Sequence, residues 1–161
     1  MKIGVTSDTH IPDRAKALPE RMRNDFSEVD EIIHAGDLTS KVVKNKLKTL
    51  APFTAVSGNC DNFTLSKELK NELTLEREGI KISLHHGYGL GRDVLSKLSY
   101  KFDSSSVIIF GHTHNVFKQW KNKQLFLNPG SPTVPRGQSF GSYAILNIES
   151  KNNIIAQIKK I

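Results

Sequence analysis

Five short apolar runs in this chain each end on a residue that can hold a metal ion. The runs cover residues 2–7, 31–35, 53–57, 80–85 and 106–110, and they lead into Asp8-Thr9-His10, Gly36-Asp37, Gly58-Asn59, His86-Gly87 and Gly111-His112-Thr113-His114. Carboxylate, amide and imidazole donors together suit divalent Mn, Fe, Zn or Ni, whereas an all-oxygen set would suit Ca or Mg and a thiolate-rich set structural zinc. The candidates Asp8, His10, Asp37, Asn59, His86, His112 and His114 are numerous enough for two ions if one carboxylate bridges, since its two oxygens can each take a metal. Two divalent charges against two carboxylates leave the centre positive even after a shared water ionises, which suits attack on an anionic phosphate. All six histidines lie inside or beside these motifs, and His34 and His85, embedded in apolar runs, read as core or supporting residues.

Short motifs of this kind arise by chance, and Gly-Asp or Gly-Asn alone is an ordinary turn. Their weight comes from order, because each stands at the end of a run that reads as a β-strand. Ligand crevices of α/β folds form beyond the carboxyl ends of strands, so residues distant in sequence are expected to converge on one edge of the sheet. Leu18-Pro19-Glu20 opens a helical segment with Met22 and Phe26 on one side. Ser40 is a candidate N-cap for a helix carrying Val43, Leu47 and Leu50, and residues 92–102 repeat the pattern with Leu95, Leu98 and Phe102. Helices between strands are the βαβ signature of a parallel sheet. Three hairpins are expected as well: 72–76 with 80–84 about Gly79, 116–120 with 124–127 about Asn122, and 142–148 with 154–158 about Asn152-Asn153. The class is therefore α/β, with antiparallel strands most simply forming a second sheet packed on the first.

The 161 residues read as one domain, 1–161, with no repeat or linker. No apolar stretch approaches the ~18 residues of a membrane span, no basic-then-apolar leader opens the chain, and a lone cysteine forms no internal disulfide, so a cytoplasmic protein without membrane partners is expected. The net charge of +7 favours anionic partners but is scattered over helix and hairpin faces. Aromatic interleaving for a nucleic-acid track is sparse, so nucleic acid is not the favoured partner.

The series Asp8-x-His10, Gly36-Asp37, Gly58-Asn59-Cys60-Asp61, His86-Gly87 and Gly111-His112-x-His114 resembles the calcineurin-like metallophosphoesterase superfamily. It is most similar to the small single-domain phosphodiesterases of bacteria and archaea, which also tend to carry Cys in the Gly-Asn-His motif and an Asn-Pro-Gly-Ser stretch, here residues 128–131. The resemblance runs from Met1 to about Gly137. It implies two packed mixed β-sheets flanked by helices, a four-layer α/β/β/α sandwich. It further implies a first metal on Asp8, His10 and His114, a second on Asn59, His86 and His112, and Asp37 bridging. A hydroxide shared by the ions would be the nucleophile, with Asp37, Asn59, His86 and His112 closest to the chemistry. The implied cofactors are two divalent ions, manganese foremost, with nickel, zinc or iron as alternatives. The implied partner is a small phosphodiester, and a homo-oligomer is compatible.

Two departures bear on catalysis. Cys60 stands where larger relatives carry a histidine, and a thiol is a weak proton donor; it reads as a loop-packing residue with substrate contact as the alternative. Tyr88 follows His86-Gly87 where relatives often have another histidine. Asp61 is expected to orient Asn59 and its loop. Arg136, in the Pro-Gly-rich loop after the last motif, is a candidate for bidentate contact with a substrate phosphate, beside Arg92 after Gly89-Leu90-Gly91. The rival readings are a protein–protein scaffold, since a eukaryotic retromer subunit resembles this fold, and a nuclease.

Overall fold

The computed structural model describes residues 1–151 and 153–161. Along the chain run β1 (Lys2–Thr6), α1 (Glu20–Phe26), β2 (Glu31–His34), α2 (Lys41–Lys48), β3 (Phe53–Ala55), α3 (Phe63–Glu68), β4 (Glu72–Arg77), β5 (Ile80–His85), α4 (Val94–Lys101), β6 (Val107–Phe110), β7 (Val116–Lys121), β8 (Gln124–Pro129), β9 (Ser142–Ser150) and β10 (Asn153–Lys160). They form two five-stranded sheets, β10-β9-β1-β2-β3 and β4-β5-β6-β8-β7. The first sheet is parallel over β1-β2-β3 and antiparallel over β10-β9-β1, whereas the second has a parallel centre, β5-β6-β8, with antiparallel strands at both margins.

This arrangement refines the expectation of one parallel sheet with an antiparallel one laid on it. The five ligand-bearing strands are divided, three in one sheet and two in the other. Apolar runs announce strands, but nothing in a run says which neighbour it will pair with. The three expected hairpins form; Asn152, half of the expected turn between β9 and β10, lies outside the described residues.

The period-2 alternation of the strands builds the layers. Ile3, Val5, Ile33, Leu146 and Ile148 face Ile82, Leu84, Val107, Ile109, Leu125 and Leu127 across the space between the sheets. The opposite face of the first sheet, with Ile32, Tyr143 and Ile145, packs against Met22 and Phe26 of α1, Val43 and Leu47 of α2 and Leu65 of α3. On the second sheet Ile108, Phe110 and Phe126 pack against Leu98 of α4 and the adjoining Phe102. The result is the four-layer sandwich of the family resembled. Two contacts span its sides: Arg77 Nε and Nη2 grip both oxygens of buried Glu31 at 2.6 and 3.0 Å, and Lys118 Nζ donates to Ala156 O at 3.1 Å.

Helix starts follow local chemistry. Ser40 caps α2 through the Val43 N–H at 3.4 Å, and Asn62 caps α3 through the Leu65 N–H at 3.0 Å. The sequence reading missed α3, because it buries only Leu65 and offers no apolar period. The expected helix over 92–102 is a 3₁₀ turn, Gly91–Asp93, followed by α4.

Phe26 anchors the first helical layer. Its ring lies edge-on to Tyr143 with centroids 5.4 Å apart, and a Cβ at Gly4 would come within 2.8 Å of it. Phe26→Ala is expected to destabilise the protein by about 3–5 kcal/mol, the usual cost of emptying an aromatic site in a packed core. A lowered urea midpoint at unchanged slope is the outcome that checks it.

Candidate metal centre

The loops that follow β1, β2, β3, β5 and β6 are stitched together across both sheets. Asp8 N–H donates to Gly36 O at 2.9 Å and His10 N–H to Asp37 O at 3.2 Å, so the first loop lies along the second. Gly111 N–H donates to His86 O at 3.0 Å, and His86 Nδ1 meets Ala35 O at 2.8 Å, tying the second sheet to the first. His112 N–H reaches Asp8 Oδ2 at 3.0 Å. Asp61 accepts from the N–H groups of Gly58, Thr39 and Asp37 at 2.7, 2.8 and 3.3 Å, the loop-orienting part expected of it.

This convergence bends the backbone. Asp8, His10, Asp37, His112 and His114 all adopt left-handed conformations, with φ between 45° and 71°. Such angles are costly for residues with a Cβ and persist where surrounding structure imposes them, commonly at functional sites. Two glycines make the approach feasible: a Cβ at Gly58 would overlap the Asp37 carboxylate, and one at Gly111 would come within 2.8 Å of Asp8 Oδ2.

The side chains meet in a tight buried cluster. Asp8 Oδ1 lies 3.3 Å from His114 Nε2 and 4.0 Å from both His10 Nε2 and His86 Nε2. Asp37 Oδ2 lies 3.3 Å from His86 Nε2 and 3.5 Å from His10 Nε2. His10 and His114 bring their Nε2 atoms within 3.2 Å of each other, and Asn59 Oδ1 stands 3.1 Å from His86 Nε2.

The outer contacts set which atoms remain for a ligand. His114 Nδ1 donates to Val134 O at 2.5 Å and His86 Nδ1 to Ala35 O, so in the neutral rings the Nε2 lone pairs face the cluster. Asp8 Oδ2 is taken by the Ser7 hydroxyl at 2.6 Å and the His112 N–H, whereas Oδ1 is buried with no hydrogen-bond partner. A buried carboxylate oxygen among imidazole lone pairs is strongly disfavoured unless a cation joins it, and this donor set fits divalent metal. Asp8, His10 and His114 form one such group, and Asp8, Asp37 and His86 another.

Electrostatics divides the two carboxylates. Burial raises the Asp8 pKa from 3.8 to about 6, against the pull of His86 and the Ser7 hydroxyl. Burial also opposes charge on Asp37, but its contacts with His86 and the Cys60 N–H at 2.7 Å hold that carboxyl well below its usual range. His86 is the reverse case: burial disfavours its charge, yet Asp37 and Asp8 lift its pKa above the ordinary imidazole value. Burial lowers His10 and His112, and takes His114 down to about 4.

The remaining expected residues spread around the rim. Cys60 Sγ lies with ligand atoms of His10 and Asp37 inside a 4.8 Å group, and burial beside Asp37 pushes its thiol up to about 11. His112 is placed by its backbone, and its ring stands edge-on to His86 and Tyr88 at 5.3 and 5.4 Å without joining a ligand group among the described residues. Asn59 and Arg136 are exposed, and the charge of Arg136 is felt by His10, His112 and His114. His34 is fully buried, with Thr9 Oγ1 and the Gly36 N–H on its nitrogens, and is a core residue as expected. The sequence reading overlooked Arg14, an exposed residue four positions after His10 whose charge reaches His10 and Cys60. Its backbone bond to His10 O at 2.8 Å turns the chain back over the first motif.

The Asp8 shift gives a pH test with a defined sign. A carboxyl raised from 3.8 unfolded to about 6 folded contributes stability that is full below the lower value and lost as pH rises through the upper one. Metal-free Asp8→Asn is therefore expected to gain on the parent by about 1–3 kcal/mol between roughly pH 4 and 7. Urea midpoints in chelator across that range check it, and added Mn is expected to reverse the order by stabilising only the parent.

The same residues place the chain among known proteins. A family model described as the calcineurin-like phosphoesterase superfamily domain matches residues 1–151. A probable metallophosphoesterase of Methanothermobacter thermautotrophicus is 44% identical over 138 residues, covering 84% of this chain and 80% of that protein. Phosphodiesterase MJ0936 of Methanocaldococcus jannaschii is 30% identical over 144 residues, covering 81% and 83%. Among solved structures, a single mutant of Vps29 from Entamoeba histolytica superposes with a TM-score of 0.82 over 100% of this chain and 99% of that one; at 23% identity this likeness carries the fold alone. With a family model spanning nearly all of it and an archaeal relative at 44% identity, the chain belongs to the calcineurin-like phosphoesterase superfamily.

Proposed function

We propose that this protein is a dimetal phosphodiesterase, in which Asp8, His10 and His114 hold one divalent ion, Asn59, His86 and His112 a second, and Asp37 lies between them. The observation that carries the reading is the buried, unpartnered Asp8 Oδ1 facing imidazole nitrogens. Asp37 Oδ1 is engaged by the Cys60 N–H while Oδ2 faces His10 and His86, so Asp37 would hold the ions from between the two groups of ligands. Divalent ions bound there supply the positive charge that brings a water's pKa towards ~7 and polarises phosphoryl oxygens.

The chain's own residues do the rest. Ala35 O and Val134 O fix the tautomers and ring directions of His86 and His114. Asn59, exposed at the rim, marks the side from which substrate enters. The Cys60 thiol keeps its proton at neutral pH and offers a weak neutral donor, so diesters with good leaving groups are expected to react fastest. The charges of Arg14 and Arg136 reach the cluster and would attract an anion, yet among the described residues neither side chain has a hydrogen bond to it that would fix it as a clamp for a doubly charged monoester. The name of the archaeal relative, a phosphodiesterase, supports the same substrate class.

The test is to strip the protein of metal, restore Mn, Ni, Zn, Fe or Mg separately, and assay bis-p-nitrophenyl phosphate beside p-nitrophenyl phosphate. Diester turnover is expected to exceed monoester turnover; a monoester rate ten times higher under every metal would remove the diesterase assignment. No bound metal and no turnover would instead favour the scaffold. Asp37→Asn is expected to lose at least ~100-fold in rate together with metal, while keeping the fold, because an amide offers one neutral oxygen where a charged one is needed. Near-normal turnover with two ions bound would sink the bridging role.

A further inference from the structure

A cavity of about 470 Å³ opens beside Asn59 and His86, within the ~300–1,000 Å³ range of small-molecule sites. A phosphate seated on the cluster would direct one ester substituent into it, because Asn59 Oδ1 and His86 Nε2, 3.1 Å apart, form part of its wall. Beyond His86 the side chains lining it are Ser57, Asn59, Ser66, Asn71, His85 and Tyr88, with no Asp, Glu, Lys or Arg among them. The occupant that fits is uncharged and forms hydrogen bonds. A second phosphate or a carboxylate would find no cation in this wall.

Three features narrow the class. Tyr88 is 60% exposed, and its ring is braced edge-on by His112 at 5.4 Å, so a free aromatic face stands at the mouth of the cavity. His85 Nδ1 accepts the Gly87 N–H at 2.8 Å, which places the ring proton on Nε2 as a donor without an acceptor among the described residues. Asn71 Oδ1 accepts the Ser57 hydroxyl at 2.8 Å, leaving the Asn71 amide hydrogens to donate. A stacking face with fixed neutral donors suits a planar heterocycle such as a nucleobase. Resting on the phosphodiesterase reading, we infer that this cavity seats the nucleoside of a nucleoside-bearing phosphodiester, with the base against Tyr88 and facing Asn71 and His85.

Two substrates that share the scissile bond and the leaving group isolate the cavity: thymidine 5′-(p-nitrophenyl phosphate) and methyl p-nitrophenyl phosphate, assayed with the metal-loaded protein. The thymidine ester is expected to show at least a ten-fold higher kcat/KM, expressed mainly in KM. Tyr88→Ala and, separately, Asn71→Ala are expected to bring that ratio below three; reading a ratio cancels any general loss of rate in a variant. A parent ratio near one, or a ten-fold ratio surviving both substitutions, overturns the nucleoside site while leaving the phosphodiesterase reading intact. Turnover of neither ester removes the phosphodiesterase reading, and the nucleoside site with it.

Discussion

Two carboxylates and three imidazoles share a volume so small that Asp8 Oδ1 lies within 4.0 Å of three ring nitrogens while accepting no hydrogen bond. That crowding is the constraint on which the rest of the molecule depends. An isolated buried charge costs several kcal/mol unless it is paired, and water cannot easily relieve it at residues that are almost wholly buried. The protein meets the difficulty from outside. Ser7, the His112 N–H and the Cys60 N–H each hold one outer carboxylate oxygen, and carbonyls of Ala35 and Val134 hold the outer ring nitrogens. What remains uncompensated points inward, which is the arrangement that selects for a cation.

The same crowding explains why the fold needs two sheets ending at one place. Left-handed angles at five of the candidate ligands would not persist on free loops; they persist because strands of a packed sandwich fix both ends of each short loop. His86 leaves one sheet and bonds to Ala35 of the other, so the angle between the sheets and the geometry of the cluster are a single variable. Slippage in the layer of Ile3, Val5, Ile82, Leu84 and Ile109 would therefore be felt at the site. The rim is more open: Asn59, Tyr88, Arg14 and Arg136 are exposed, with Asn59 and Tyr88 braced by contacts to His86 and His112.

This division matches what could be read from the chain. Asp8, His10, Asp37, His86 and His114 were legible because each ends an apolar run, and burial of the run forces its polar terminus into the shared crevice. Sheet membership was not legible, since β-pairing depends on partners far away in sequence. The helix α3 was hidden by having only Leu65 to bury. The cavity was hidden for a related reason: Ser57, Ser66 and Asn71 come from separate segments, Ser66 from α3 itself, and no local pattern joins them to Tyr88. Arg14 escaped notice because its relation to the cluster is made by a turn of backbone rather than by a motif.

Cys60 shows how far residue type can mislead where backbone does the work. Its side chain invites comparison with the histidine of larger relatives, and a thiol pushed up to about 11 makes a poor substitute for an imidazole. Yet the firmest contact of this residue is its N–H, which takes Asp37 Oδ1 at 2.7 Å and thereby leaves Oδ2 to face His10 and His86. Asp61 holds the same loop through the Gly58 and Thr39 N–H groups, so the position of the Cys60 amide does not depend on its side chain. Any residue except proline supplies that N–H. The hold on Asp37 Oδ1 at position 60 therefore comes from the backbone, whichever side chain stands there.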